Sequence, residues 1–320
     1  MAPDATWVDH RIGPVGTLGP VKVRIGFGTG TQTLSNDGTR FGELVDALED
    51  LRFDSLWLSE RLTGSAPDPL VALAFAAGRT ARLKLGTSVL VVPGRNPVVL
   101  AKQVASLDRL SNGRFLPAVG LGAPVPAEHR AFGVDRRARA ALFDESLGLM
   151  RRLWTEDDVT HDGVHFQVER VTLRPKPVQD PIDVWLGGRS SAELRRVGRL
   201  GDGWLPSFCT VDDVAEGWTQ VCATAAEHGR TMDPEHLGAL VTYVHESVGI
   251  PDPLRALVAD RHPDRPAEDV VPVGLDALRA RLEAFRSVGA SKFVVVPVFE
   301  PDDWTTELRS IHEAVADLQT

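Results

Sequence analysis

The stretch LKLGTSVLVVPGRNPVVLAKQVASLDRLSNGRFLPAVGLG, Leu83 to Gly122, decides how the rest of the chain is read. Leu85 to Val92 is apolar and β-branched and is closed by Pro93-Gly94, the pattern of a strand buried on both faces in a parallel sheet. Asn96 stands where an N-cap belongs and Pro97 where the first helical residue belongs; Leu100, Val104 and Leu107 then recur at helical spacing until Gly113. A second strand, Phe115 to Val119, runs into Gly120-Leu121-Gly122. The stretch is therefore a βαβ unit whose two strand ends meet on one side of a sheet, with small residues that let a flat ligand approach.

The same rhythm extends outward. Val23 to Phe27 reads as a first strand followed by a glycine-rich turn, Gly26 to Gly30. It is not a dinucleotide fingerprint, because a polar loop through Gly38 separates it from the helix marked by Phe41, Leu44, Val45 and Leu48. Ser55 to Leu58 is a second strand ending at Ser59-Glu60-Arg61, and Leu70 to Ala81 a helix. After Gly122, a connection from Ala123 to Arg137 carries Glu128, His129 and Arg130 and is longer than a typical βα loop. Phe143, Leu147, Met150 and Trp154 mark the next helix. Strands five to eight read as Ile182 to Leu186, Gly203 to Leu205, Leu240 to Val244 and Phe293 to Val298, and Ser190 with Glu193 forms an S-x-x-E capping box behind Gly187-Gly188-Arg189.

Two segments break the rhythm. Residues 156–181 read as an inserted hairpin or excursion, and 249–272 as a lid or a plain insertion. Eight strands, each followed by a helix, make an α/β fold of the (β/α)8 TIM-barrel type with insertions, residues 22–320 forming one barrel domain behind an N-terminal arm, 1–21. The competing fold, a doubly wound open sheet, has fewer strands and needs the missing phosphate fingerprint.

Composition narrows the function classes. A net charge of −9 argues against a general nucleic-acid binder, and no apolar run is long enough for a membrane span. The first 20 residues have no apolar core behind a basic start, so a cytoplasmic location is expected. Arg136, Arg137 and Arg139 read as a solvated helix start. The two cysteines, Cys209 and Cys222, form no Cys-x-x-Cys pair, no H-x-x-x-H pattern supports a metal, and neither G-x-S-x-G nor G-K-S/T occurs. Backbone amides at the helix start behind Gly187-Gly188 are suited to a phosphate, glycine allowing close approach.

The chain resembles the luciferase-like monooxygenases and their deazaflavin (F420)-dependent oxidoreductase relatives. The resemblance is carried by Gly86 to Leu90, Asn96-Pro97-Val98, Ser111 to Arg114 and Val119 to Gly122. It continues through Leu147 to Trp154, Gly163 to Phe166, Pro175-Lys176-Pro177, Val184 to Arg189 and Leu200 to Trp204. It implies hydride transfer between F420 and a small organic substrate, with an FMN-dependent monooxygenase or a non-catalytic flavin-binding barrel as alternatives. It also implies a homodimer, and a non-proline cis peptide at Ser88-Val89 backing the cofactor ring. The cofactor residues it implies are Ser59, Thr87, Ser88, Val89, Gly120, Leu121, Gly122, Gly187, Gly188 and Arg189. Glu60 matches an acidic residue near the ring in relatives. Arg61 stands where relatives often have His, and a guanidinium holds charge without exchanging a proton. His129, or Glu128, is then the nearest substitute acid. FMN relatives tend to carry a basic residue near the fourth strand's turn, and 120–126 has none, which favours F420.

Overall fold

The structure is a computed structural model that describes residues 21–31 and 37–320. The arm expected over 1–21 lies outside the described residues apart from Val21. Among the described residues, eight parallel barrel strands follow one another around a ring. They are β1 (Arg24–Thr29), β2 (Ser55–Leu58), a third broken into β3 (Lys84–Thr87) and β4 (Leu90–Val91), and a fourth split by Pro117 into β5 (Phe115–Leu116) and β6 (Ala118–Gly120). An antiparallel hairpin, β7 (Val159–Asp162) and β8 (Gln167–Val171), intervenes before β9 (Trp185–Leu186), β10 (Gly203–Trp204), β11 (Gly238–Tyr243) and β12 (Lys292–Pro297). β1 pairs with both β2 and β12, and the parallel bridges Trp204 to Leu237 and Ser207 to Leu240 join β10 to β11. The open sheet is thereby excluded, since it would leave two edge strands, whereas these pairings close on themselves through β12 and β1.

The helices form where capping chemistry and apolar spacing agree. α1 (Gly38–Asp50) buries Phe41, Leu44, Val45 and Leu48, and α2 (Pro69–Arg79) starts on the Asp68 carboxylate. In α3 (Pro97–Leu110) the Asn96 side chain accepts the Val98 and Val99 amides, with Pro97 filling the position that has no use for an N–H. The connection after β6 is partly helical: Pro126 opens α4 (Pro126–Ala131), which precedes α5 (Arg139–Thr155). Then come α6 (Ser191–Leu200), α7 (Val211–Glu227), α8 (Asp252–Arg261), α9 (Leu275–Ser287) and α10 (Trp304–Val315).

The segment 156–181 adopts the hairpin, tied down by Asp108 of α3, whose carboxylate accepts the Val178 amide at 2.6 Å and the Gln179 amide at 3.1 Å. In 249–272, α8 packs Val258 with Ile250, Ala267, Val270 and Val271 into a small apolar cluster that also takes in Val244 just after β11, which seats the segment on the barrel.

Two of the three glycines expected to form a turn after the first strand, Gly26 and Gly28, lie inside β1 instead. A Cβ on Gly26 would come 2.9 Å from the Trp57 indole nitrogen, and one on Gly28 would come 2.9 Å from Val294 and from Val296. Likewise a Cβ on Gly86 would fall 2.3 Å from the Trp57 ring, and one on Gly203 would fall 2.4 Å from Trp185. The barrel interior is thus filled by large side chains, Trp57, Trp185, Leu205, Val294 and Val296, for which neighbouring strands give way with glycine. Burying each indole is worth on the order of 5 kcal/mol before entropy is counted.

At the opposite, N-terminal mouth, Asp54 stands just before β2, and β12, β1 and β3 around it each begin with a cation aimed at its carboxylate. Lys84 lies 3.1 Å, Lys292 3.2 Å and Arg24 3.8 Å from its carboxylate. Burial alone would push the Asp54 carboxyl up, but Lys292 and Lys84 outweigh it and hold it below the ordinary range. Burial pushes Lys292 down to about 8 against the pull of Asp54. Removing the shared anion leaves a buried ammonium uncompensated, so Asp54→Ala should cost about 3–5 kcal/mol in urea unfolding at neutral pH. Adding Lys292→Met should recover part of that loss. Because the folded-state pKa of Asp54 is depressed, its contribution is present above its ordinary value of 3.8 and fades as pH falls below it, a dependence the variant should lack. An unchanged urea midpoint in Asp54→Ala would refute this account of the lower mouth.

Candidate active site

The C-terminal ends of the strands enclose a cavity of about 310 Å³. Ser59 and Glu60 follow β2, Ser88 and Val89 sit in the break between β3 and β4, Gly120 to Gly122 end the fourth strand, and Gly187-Gly188 follow β9; all of them line it. The Ser88-Val89 peptide is cis. The Ser59 hydroxyl donates to the Ser88 carbonyl at 2.8 Å and lies 3.2 Å from the Ser88 hydroxyl. Val89 fills the space between two strand ends. A Cβ on Gly120 would come 2.7 Å from one Val89 methyl, and a Cβ on Gly187 would come 3.0 Å from the other. These glycines therefore make room for Val89 as well as for a ligand.

Glu60 is the ionisable group most tightly built into this wall. Its carboxylate accepts the Val91 amide at 2.7 Å and meets the Arg95 guanidinium, which also donates to the Val91 carbonyl at 3.1 Å. The Glu60 side chain is only 3% exposed. Burial pushes its carboxyl up, Arg95 and the Val91 amide oppose this, and the balance leaves it above the ordinary carboxylate range. Arg95 escaped the sequence reading, its only signal being its place in the turn between β4 and α3.

The helix start behind Gly187-Gly188 differs from the phosphate cradle expected there. The capping box forms, and in doing so the Glu193 carboxylate accepts the Arg189 and Ser190 amides, both at 3.0 Å, and the Ser190 hydroxyl at 2.8 Å. Burial would raise this carboxyl, but the Ser190 and Arg189 donors and the nearby Arg139 outweigh it and hold it low. An anion of the chain itself thus satisfies those two amides. Gly188 has φ +105°, and a Cβ there would strike the Glu193 side chain at 2.7 Å, so glycine is required by the cap.

Two residues expected to bind a cofactor lie away from the cavity. Thr87 is fully buried, its hydroxyl donating to the Ala118 carbonyl at 2.7 Å and accepting the Ala118 amide at 3.1 Å across the strand pair. Arg189 is exposed, and its amide donates to the Glu193 carboxylate.

Arg61 and His129 line a second, smaller cavity of about 150 Å³. Thr31, Glu60, Val91, Leu121, Gly122 and Ala123 belong to both walls, so the two spaces adjoin. Glu128 accepts the amides of Leu62 and Thr63 at 3.0 and 2.9 Å and the Thr63 hydroxyl. Burial is outweighed by those donors and by Arg61, which keeps the Glu128 carboxyl low and makes it a loop anchor with no proton to give.

Arg139 is not the solvated residue it looked like in sequence. From α5 its guanidinium donates to the Gly122 carbonyl at 3.2 Å and lies 3.2 Å from His129 Nε2. Since arginine only donates, the network assigns Nε2 as the acceptor. A basic group therefore does stand at the turn of the fourth strand, supplied from α5 and invisible in residues 120–126. Among the described residues no cluster of three or more His, Cys, Asp or Glu side chains is placed to hold a metal ion.

Comparison with known proteins agrees with this architecture. A family model described as luciferase-like monooxygenase matches residues 20–248. The chain is 34% identical over 205 residues to a 4-hydroxyprotoasukamycin monooxygenase of Streptomyces nodosus subsp. asukaensis, covering 60% of this chain and 54% of that protein. The match thus spans about half the length of that relative. It is 33% identical over 230 residues to an F420-dependent glucose-6-phosphate dehydrogenase of Segniliparus rotundus, 67% of each chain. Among solved structures, the monooxygenase RslO1 of Streptomyces bottropensis aligns with a TM-score of 0.73 at 23% identity, over 92% of this chain and 99% of that one. An F420-dependent secondary alcohol dehydrogenase in complex with an F420–acetone adduct aligns with a TM-score of 0.77 at 17% identity, over 93% and 100%. At such identities the structural likeness shows the fold alone, while the family match covers well over half the sequence: the chain belongs to the luciferase-like monooxygenase family.

Proposed function

We propose that this protein is an oxidoreductase that moves hydride between coenzyme F420 and a small organic substrate. The observation that carries the reading is Glu60, a buried carboxyl on the wall of the main cavity with its pKa raised. Oxidising an alcohol or reducing a carbonyl requires a proton to move at oxygen as hydride moves at carbon, and a lifted carboxyl suits that task. Relatives named as F420-dependent dehydrogenases support the choice of cofactor. The main cavity fits a flat heterocycle. Val89, Leu205 and Leu240 offer apolar surface, Ser59, Ser88 and Ser207 offer hydroxyls, and the glycine ends of the fourth and fifth strands offer backbone.

When bound, the deazaflavin would supply or accept the hydride. The chain's own part is to position and to handle the proton. Glu60 accepts the hydroxyl proton of an alcohol, or returns it to a carbonyl oxygen in the reverse direction, while Arg95 and the Val91 amide hold its carboxylate in place. Arg61 contributes a fixed positive charge from the adjoining cavity. His129 is the weaker proton carrier because Arg139 occupies its Nε2 lone pair.

A second reading, an FMN-dependent monooxygenase, is favoured by Arg139 at the Gly122 turn, a basic group where a terminal phosphate would be met. A homodimer belongs to the proposal. Val71 and Phe75 on α2 and Val99 on α3 are exposed apolar side chains on adjacent helices beside the βαβ unit, surface a partner copy would cover.

Glu60→Gln should lower kcat by about 10²–10⁴-fold while changing F420 affinity little. In the oxidation direction, wild-type kcat/KM should rise with pH through the pKa of Glu60, above its ordinary 4.5, and the variant should lose that limb. A variant that keeps both rate and profile would take the proton away from Glu60. For the assembly, light scattering should give a dimer for the wild type and a monomer for the pair Val71→Glu with Val99→Glu; a monomeric wild type at micromolar concentration would end the dimer proposal.

A further inference from the structure

Arg95 serves two carboxylates with one nitrogen. Its Nη2 meets Glu60 Oε1, on a side chain 3% exposed, and stands 3.5 Å from Asp68 Oδ2, on a side chain 40% exposed. Its Nε donates to the Val91 carbonyl at 3.1 Å, which fixes where the guanidinium lies between the two acids. Asp68 is held as firmly. Its Oδ1 caps α2 by accepting the Leu70 and Val71 amides at 2.9 and 3.1 Å, and its other oxygen, Oδ2, faces Arg95. The cap needs one oxygen, which asparagine would supply equally well, so it does not explain the second. Arg61, Glu128, His129 and Arg139 on the side cavity and Glu193 and Arg196 on the main one stand around Glu60, and none of them pairs with it. Among the described residues Arg95 is therefore the cation that pairs with the buried acid, and Asp68 is the anion that draws on the same cation from outside.

We propose that Asp68 is a positioning residue for Glu60: by taking a share of Arg95, it weakens the guanidinium's hold on the buried carboxyl and lets that carboxyl keep a proton. The proposal rests on the reading of Glu60 as the group that handles the proton. An anion beside a guanidinium offsets part of the field its other partner feels. The balance at Glu60 has this sense: burial raises its carboxyl, Arg95 opposes the rise, and Asp68 adds to it. Because Asp68 is partly exposed, water screens its charge, and the effect is a tuning of Glu60 and not a switch.

Carbon-13 NMR of the full chain labelled at glutamate side-chain carboxyls, without cofactor, reads the Glu60 titration directly, the signal being assigned by its loss in Glu60→Gln. Asp68→Asn keeps the helix cap and removes only the charge, so melting curves should match the wild type while the Glu60 midpoint moves to lower pH. Arg95→Met should move it to higher pH, and in that background Asp68→Asn should shift it less. In the oxidation direction the rising limb of kcat/KM should follow the midpoint, to lower pH in Asp68→Asn. An unmoved or raised midpoint in Asp68→Asn would leave Asp68 a cap alone and overturn the proposal. A shift undiminished in the Arg95→Met background would overturn the sharing of Arg95. Midpoints that move as expected while the rate limb stays in place would keep the pairing of Asp68 with Glu60 and sink the proton reading, so the two fail separately.

Discussion

Val89 wedged between two glycine strand ends is the contact on which the upper face of the barrel depends. Its methyl groups occupy the space that side chains at positions 120 and 187 would need. Its carbonyl accepts the Glu60 amide at 3.2 Å, while two residues on the Val91 amide reaches back to the Glu60 carboxylate. The break in the third strand, the small residues of the fourth and fifth, and the acid after the second are therefore one construction. A larger residue at 120 or 187 would disturb the placement of Glu60 without touching it.

The two mouths of the barrel use buried charge differently. At the lower mouth one carboxylate, Asp54 at the start of β2, ties together the first residues of β12, β1 and β3 and lies at the far end from the upper cavity. At the upper mouth Glu193 and Glu128 are likewise occupied, one capping α6 and the other holding the loop after Arg61, and both are kept ionised. Glu60 alone of these is shifted the other way, because burial exceeds what Arg95 and one amide return. That contrast separates a group suited to moving a proton from groups that fasten loops.

Most of the architecture was legible in the sequence because strand and helix periods, Asn96-Pro97 and the Ser190–Glu193 box are local signals. The cis peptide at Ser88-Val89 was legible only through the family resemblance, no local rule pointing to it. What misled were features whose partners are remote in sequence. Gly26 and Gly28 look like a turn until Trp57, Val294 and Val296 are seen to need their space. Gly187-Gly188 look like a phosphate cradle until the capping carboxylate is seen to take the Arg189 and Ser190 amides. Thr87 sits among ligand-facing neighbours, yet strand alternation turns it to Ala118. Arg139 belongs to a basic run that reads as solvent-facing, and only the packing of α5 against the fourth strand brings it to Gly122. Arg95 lies in a turn whose composition says nothing of a buried acid 35 residues earlier.

The central claim is that the upper cavity is built for a deazaflavin. Titrating the purified protein with F420 and with FMN under one buffer, following fluorescence, compares the two directly. The account predicts saturable binding of F420 with the smaller dissociation constant; tighter binding of FMN, or binding of neither, would contradict it.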